Sequence, residues 1–158
     1  MTSALAALTS LFENKIFLST ALSLCVAQVL KFVIYLITNR NKKKRIALET
    51  VIWRTGGMPS SHSAVVCALV TSAASYEGMD SHFFIFCLVF ATVVLRDSMG
   101  VRRAAGLQAK ALNILGKQYS KLTGQEFTSV KEIQGHTPPE VLVGAFLGIL
   151  IAVFFYLI

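Results

Sequence analysis

Three short stretches carry residue types that could act together on an anion. The first is Gly56-Gly57-Met58-Pro59-Ser60-Ser61-His62-Ser63. A glycine pair lets the backbone turn and come close to a ligand. Pro59 suits the first turn of a helix, and Ser60 or Ser61 can cap it. The unpaired N–H groups of a helix start, with two hydroxyls and an imidazole beside them, make a reasonable phosphate site. A plain helix cap followed by a surface histidine is the competing reading. The second stretch is Gly135-His136-Thr137-Pro138-Pro139-Glu140-Val141. His136 and Glu140 are four residues apart, which places them on one helix face. A carboxylate there fixes the tautomer of the imidazole and keeps it basic, as a nucleophile or base requires. Thr137-x-x-Glu140 is also a capping box with Pro138 at the first helical position, so Glu140 has a purely structural reading too. The third stretch is Arg96-Asp97-Ser98-Met99-Gly100-Val101-Arg102-Arg103. Arg102 and Arg103 are natural forks for phosphate oxygens, and Arg54, just ahead of the glycines, could join them. The alternative for this pair is a solvated or lipid-facing basic helix face.

The elements that must position these residues are apolar. The chain has 158 residues, of which 54% are hydrophobic and 15% charged. The usual charged share of a soluble domain is about 25%. With a mean hydropathy of +0.64, the composition is that of an integral membrane protein. Ile16–Thr38 is long enough to cross a bilayer. It contains Gln28 and Lys31. A lysine inside a span faces a partner or an aqueous cavity, or snorkels to the interface. Ser61–Tyr76 and Phe83–Leu95 form a tight hairpin of two shorter spans around Gly78 and Asp80, and Glu140–Ile158 is the last span. Between the third and fourth, apolar residues recur at helical spacing from Val101 to Leu115. That predicts an amphipathic helix ending near Gly116, with a loop over Gly124–Gly135. Residues 1–14 read as a short interfacial helix. The expected architecture is an all-α, polytopic membrane helical bundle in a single domain over 1–158. It has about four membrane helices plus one amphipathic helix on the cytoplasmic side.

The net charge is +7, and the basic residues flank the apolar runs. Membrane topology accounts for them better than nucleic-acid binding does. With both basic segments, 40–54 and 96–131, in the cytoplasm, the second and fourth spans start on the same, cytoplasmic side. Each then has a histidine at its mouth, and two positive helix ends at one membrane face suit an anion. Lys42-Lys43-Lys44-Arg45 reads as a topogenic cluster that also suits anionic headgroups. Cys25, Cys67 and Cys87 sit in apolar runs without metal-ligand spacing and read as core residues, with no disulfide and no zinc site expected.

Taken together, these motifs resemble a known superfamily. Pro59-Ser60-Ser61-His62 resembles the P-S-G-H motif of the type 2 phosphatidic acid phosphatases, which are grouped with vanadium haloperoxidases. His136-x-x-x-Glu140-Val141-x-x-Gly144 resembles their last motif, with Glu in place of Asp. The set G-G-M-P-S-S-H-S-A, D-S-M-G-V-R-R-A-A-G and G-H-T-P-P-E-V is more closely similar to the small divergent PAP2 membrane family, from about residue 16 to the end. The resemblance implies a PAP2-like core and a metal-independent phosphatase that needs no cofactor. It implies His136 as the nucleophile that becomes a phosphohistidine, Glu140 as its orienting carboxylate, and His62 as the acid that protonates the leaving alcohol. Ser60 and the N–H of Ser61, with Gly57 close by, would hold phosphate oxygens.

The superfamily's K-x6-R-P motif is missing, since Thr38 stands seven residues after Lys31. Its S-R before the final histidine is altered as well: Ser129 is followed by Val130 and then Lys131. Arg102, Arg103, Arg54, Lys31 and Lys131 are therefore the candidate phosphate-gripping cations. The expected substrate is a lipid phosphate: phosphatidic acid, phosphatidylglycerophosphate or a polyprenyl pyrophosphate. The setting would be a bacterial inner membrane or an organelle membrane, with the site on the cytoplasmic face. A homo-oligomer is compatible with the sequence, and nucleic acid is not an expected partner. Two other functions stay open, a degenerate module that binds anionic lipid without cleaving it, and an anion path lined by Gln28 and Lys31.

Overall fold

The computed structural model describes residues 2–38, 57–132 and 135–158. The described residues form six helices and no strand: α1 (Thr2–Glu13), α2 (Lys15–Thr38), α3 (Ser61–Glu77), α4 (His82–Met99), α5 (Val101–Thr123) and α6 (Pro138–Leu157). Local chemistry sets most of the boundaries. The Asn14 carboxamide oxygen accepts from the N–H groups of Ile16 (2.9 Å) and Phe17 (3.0 Å), so α2 starts one residue after α1 ends. Ser81 does the same for α4, accepting from the Phe84 N–H at 3.1 Å. Gly124 closes α5 in the left-handed region at φ 73°, where a side chain would be strained.

Three helices, α2, α4 and α6, are long and apolar enough to cross a membrane. At 17 residues, α3 is only ~26 Å long at 1.5 Å per residue, short of a ~30 Å hydrocarbon core. It lies in the middle of the bundle, packed against α2, α4 and α6. The second of the four expected spans is thus a short, enclosed helix, and the other three carry the lipid contact.

The bundle is built inside out relative to a soluble protein. On α6 the buried positions are Val141, Gly144, Gly148 and Ala152, whereas Leu142, Phe146, Leu150, Phe154 and Leu157 point outward. On α2 the buried stripe is Ser19, Ser23, Ala27 and Lys31. Small residues inside and large apolar ones outside are what lipid selects, because hydrocarbon offers no drive to bury a leucine and backbones gain by approaching closely. The approach of α3 to α6 is extreme. A Cβ on Gly144 would strike the Ser60 carbonyl oxygen, and one on Gly148 the Ala64 carbonyl oxygen. The pairing of 60 with 144 and 64 with 148 makes the two helices parallel, so both start at the same end of the bundle.

α2 runs antiparallel to them. Its Ser19 hydroxyl shares a 2.7 Å hydrogen bond with Ser72, and its Lys31 side chain lies against Gly57. At the far end, the Tyr76 hydroxyl donates to the Phe155 carbonyl at 2.8 Å, with the Tyr76 and Tyr156 rings 5.6 Å apart. Paired tyrosines suit the opposite membrane interface.

Two sequence expectations change. α5 does not end near Gly116. The helix continues to Thr123, and Gly116 is buried because the Phe127 ring sits where its Cβ would be. The loop returns along α5, held by Asn113, whose amide donates to the Val130 carbonyl and whose oxygen accepts from the Val130 N–H, both at 2.8 Å. Cys25 is not a core residue: it is exposed on the outer face of α2, while Cys87 is buried.

Candidate active site

The α3–α6 crossing brings the two histidine stretches together. Gly57, at φ 91°, takes a turn that a side chain would resist, and Ser60 then caps α3. The Ser60 hydroxyl accepts from the Ser63 N–H (3.3 Å) and from the Ser63 hydroxyl (2.9 Å). The Ser60 N–H donates to the Glu140 carbonyl at 3.0 Å, stitching the first turn of α3 to the first turn of α6. With the helix starts fixed, the His62 and His136 rings face each other, with centroids 6.0 Å apart and planes at 62°.

His136 is held at two points and is only 3% exposed. Its N–H donates to the Ser98 carbonyl at 3.0 Å. That oxygen is left free by the break between α4 and α5 at Gly100, so the third stretch also serves as a bracket for the histidine. The His136 Nδ1 lies 3.2 Å from Glu140 Oε2, and the same oxygen accepts from the Thr137 N–H at 3.0 Å. Glu140 therefore makes both contacts at once: it ties off α6 and it lies against the histidine. With Nδ1 facing the carboxylate, Nε2 is the nitrogen left to react. Burial pushes the His136 pKa below its ordinary value. The hydrogen bond and charge of Glu140 pull the other way, and the charges of Lys31 and Arg102 add to the lowering. The imidazole is thus held neutral near pH 7, the state in which a ring nitrogen can act as a nucleophile.

Lys31 is only 7% exposed, yet among the described residues no carboxylate lies within ion-pair distance of it. Lys31 feels the charge of Glu140, and a cation buried at this end of the bundle suits a site that binds an anion. His62 is exposed at the mouth, within reach of the charges of His136, Arg102, Lys31 and Asp97.

The remaining candidates fare differently. Arg102 reaches the histidines electrostatically, but its Nε donates to Asp97 Oδ2 at 2.6 Å. Arg103 contributes its backbone, against which Gly135 packs, and its exposed side chain is not brought to the histidines. Ser61 is buried in the first turn of α3. Ser60 is fully buried, and its hydroxyl serves the helix cap. Lys131 is exposed on the return loop. Arg54, Gly56 and the 42–45 cluster lie outside the described residues. Asp97 and the Ser98 carbonyl were given no role from the sequence. The close spacing of Asp97 and Arg102 was their only signal.

A bundle with small residues inside and apolar residues outside is an integral membrane protein, here with paired histidines at one end. The chain belongs to the Divergent PAP2 family, which matches residues 12–151. It is similar to YuiD of Bacillus subtilis (strain 168), an uncharacterized membrane protein. The two are 38% identical over 152 residues, covering 89% of this chain and 93% of that protein. No solved structure matches it.

Proposed function

We propose that the protein is a membrane phosphatase that hydrolyses a phosphomonoester or pyrophosphate of a lipid, from the cytoplasmic side, through a phosphohistidine on His136. The observation that carries this is the convergence of His62, the Glu140-bonded His136 and the buried Lys31 at one end of the bundle. In the first step His136 Nε2 attacks phosphorus, a P–N bond forms and the P–O bond to the lipid alcohol breaks. His62 gives its proton to the departing oxygen. In the second step His62 takes a proton from water, which displaces the histidine and releases phosphate. Lys31, Arg102 and the N–H groups at the start of α3 offset the charge on the phosphoryl oxygens.

The level of the site favours a lipid. α2, with 24 residues, is ~36 Å long and continues ~10 Å beyond Lys31. That exceeds a ~30 Å hydrocarbon core by only ~6 Å, so the Lys31 backbone lies at least ~4 Å inside the core and its long side chain reaches up toward the headgroup level. There a lipid phosphate can reach it without withdrawing its acyl chains.

The test is phosphate release by the purified chain in nanodiscs from phosphatidic acid, phosphatidylglycerophosphate and polyprenyl pyrophosphate. Turnover of at least one substrate, abolished in His136→Ala, is the expected result. Turnover that survives His136→Ala refutes the assignment. A second reading, binding without cleavage, is favoured by the Arg102–Asp97 pair and the inward Ser60 hydroxyl, which leave fewer groups free to grip a transition state. Stoichiometric lipid binding without phosphate release, indifferent to His136→Ala, selects it.

A further inference from the structure

The phosphatase reading makes no use of the outward surface of α5, whose chemistry is two-sided. With successive residues ~100° apart, Val101, Leu112, Leu115, Tyr119 and Leu122 fall on one arc of about 80°. Arg103, Lys110, Lys117 and Lys121 fall within about 40° on nearly the opposite side. A third face, with Asn113 and Gly116, is occupied by the return loop. Among the described residues the first two arcs are largely exposed, the Tyr119 hydroxyl donating to the Gln125 carboxamide oxygen at 3.3 Å. No helix other than α4 packs on α5 among the described residues, Leu115 is 62% exposed and Leu122 is 87% exposed.

We infer that α5 is a membrane-surface helix. Its apolar arc enters the outer layer of the bilayer and its basic arc binds the headgroups of anionic phospholipids. Two facts favour lipid as the occupant. α5 begins one residue after α4 ends, and α4 exposes Phe86, Val89 and Val93 on its outer face. The start of α5 is therefore fixed at the membrane boundary. Its sequence, VRRAAGLQAKALNILGKQYSKLT, also contains five cations and no acidic residue. That complements an anionic surface and repels a second copy of the same helix. An apolar face opposed by lysines is the pattern of helices that lie in the interface, with the lysine stems reaching up to the headgroups.

The test uses the full chain, with its three cysteines replaced and one nitroxide placed at Leu115→Cys or Lys117→Cys. The protein is reconstituted in nanodiscs of phosphatidylglycerol with phosphatidylcholine, or of phosphatidylcholine alone. In the anionic discs the label at 115 should be reached by oxygen and shielded from an aqueous nickel chelate. The label at 117 should show the reverse. The immersion at 115 should weaken in phosphatidylcholine alone. Hydrogen exchange of the unaltered chain gives an independent reading, with α5 amides slowed in the anionic discs. A label at 115 that stays open to the chelate in both lipids overturns the inference. So does spin–spin broadening between labels at 115, which would mean that a second copy covers the face. Neither readout depends on turnover, so the inference can fail while the phosphatase assignment stands, or the reverse.

Discussion

Replacing Glu140 separates the two tasks that one oxygen performs. Glu140 Oε2 accepts the Thr137 N–H at 3.0 Å and faces His136 Nδ1 at 3.2 Å. Glu140→Ala removes both. The loss of the cap should cost about 0.5–2 kcal/mol of stability. Glu140→Gln keeps an acceptor for Thr137 and should recover most of that. It does not keep the negative charge, which matters most when His136 carries the phosphoryl group and its ring is cationic. A charged hydrogen bond of this kind is worth about 1.5–3 kcal/mol, or roughly 10- to 150-fold in rate at ~1.4 kcal/mol per decade. Both variants should therefore lose kcat to that extent or more, while only Glu140→Ala melts clearly earlier.

The pH profile adds a signed check. Attack requires neutral His136, so the acidic limb of kcat/KM should lie below the ordinary histidine range, because burial lowers this pKa. Glu140 opposes that lowering, so in Glu140→Gln the limb should move to still lower pH. The assay is phosphate release across pH in nanodiscs, paired with thermal unfolding. If Glu140→Gln keeps wild-type kcat and an unmoved acidic limb, the carboxylate is a cap and nothing more, and the orienting role is wrong.

His62→Asn should slow release from a lipid alkyl phosphate by about 10²–10⁴-fold. Turnover should fall on this substrate and on a nitrophenyl phosphate where the water step limits it, but the first-turnover burst of nitrophenolate, whose departure needs no proton, should barely slow. A burst slowed as much as the alkyl phosphate would refute the acid role. Lys31→Met should lower kcat/KM by roughly 10- to 150-fold by removing a charged contact. Lys31→Arg should restore part of it, and an unaffected Lys31→Met would show that this cation only snorkels. Gly144→Ala should force α3 and α6 apart at Ser60, destabilising the bundle by about 1–3 kcal/mol as overpacking does. It should also lower kcat, because the same crossing sets the distance between the histidines; unchanged melting and turnover would mean that the contact relaxes freely.

The membrane spans were legible because lipid demands long apolar runs, and 15–38, 82–99 and 138–157 supply them within a few residues. The end of α5 was not. Gly116 carries the usual sign of a helix stop, and only the position of Phe127 shows that it is there for contact. The interior stripes Ser19–Ser23–Ala27–Lys31 and Gly144–Gly148–Ala152 were equally hidden, since a residue's burial depends on its neighbours. At the site, His62, His136 and Glu140 announced themselves by type and spacing. Arg102 and Arg103 could not be told apart in the same way. One residue of helical rotation turns a side chain by about 100°, and that decides which of the two carries charge toward the histidines. Asp97, which restrains Arg102, had no signature beyond being close to it.

The site and the bundle depend on the same few atoms. The Ser60 carbonyl is what Gly144 must avoid, the Ser60 N–H binds the Glu140 carbonyl, and the Glu140 side chain orients His136. A change in the crossing of α3 and α6 is therefore felt at once by the cap, the carboxylate and the distance between the rings. In water such a crossing would be secured by interlocking large side chains. In lipid it must be secured by backbone approach, because large side chains gain little by turning inward. The glycines in α6 are in that sense part of the geometry that brings the two histidines together. The shortness of α3 has the same origin: an enclosed helix need not match the membrane's thickness, so its start can sit below the end of α2, at the level of Lys31 and beside the two imidazoles.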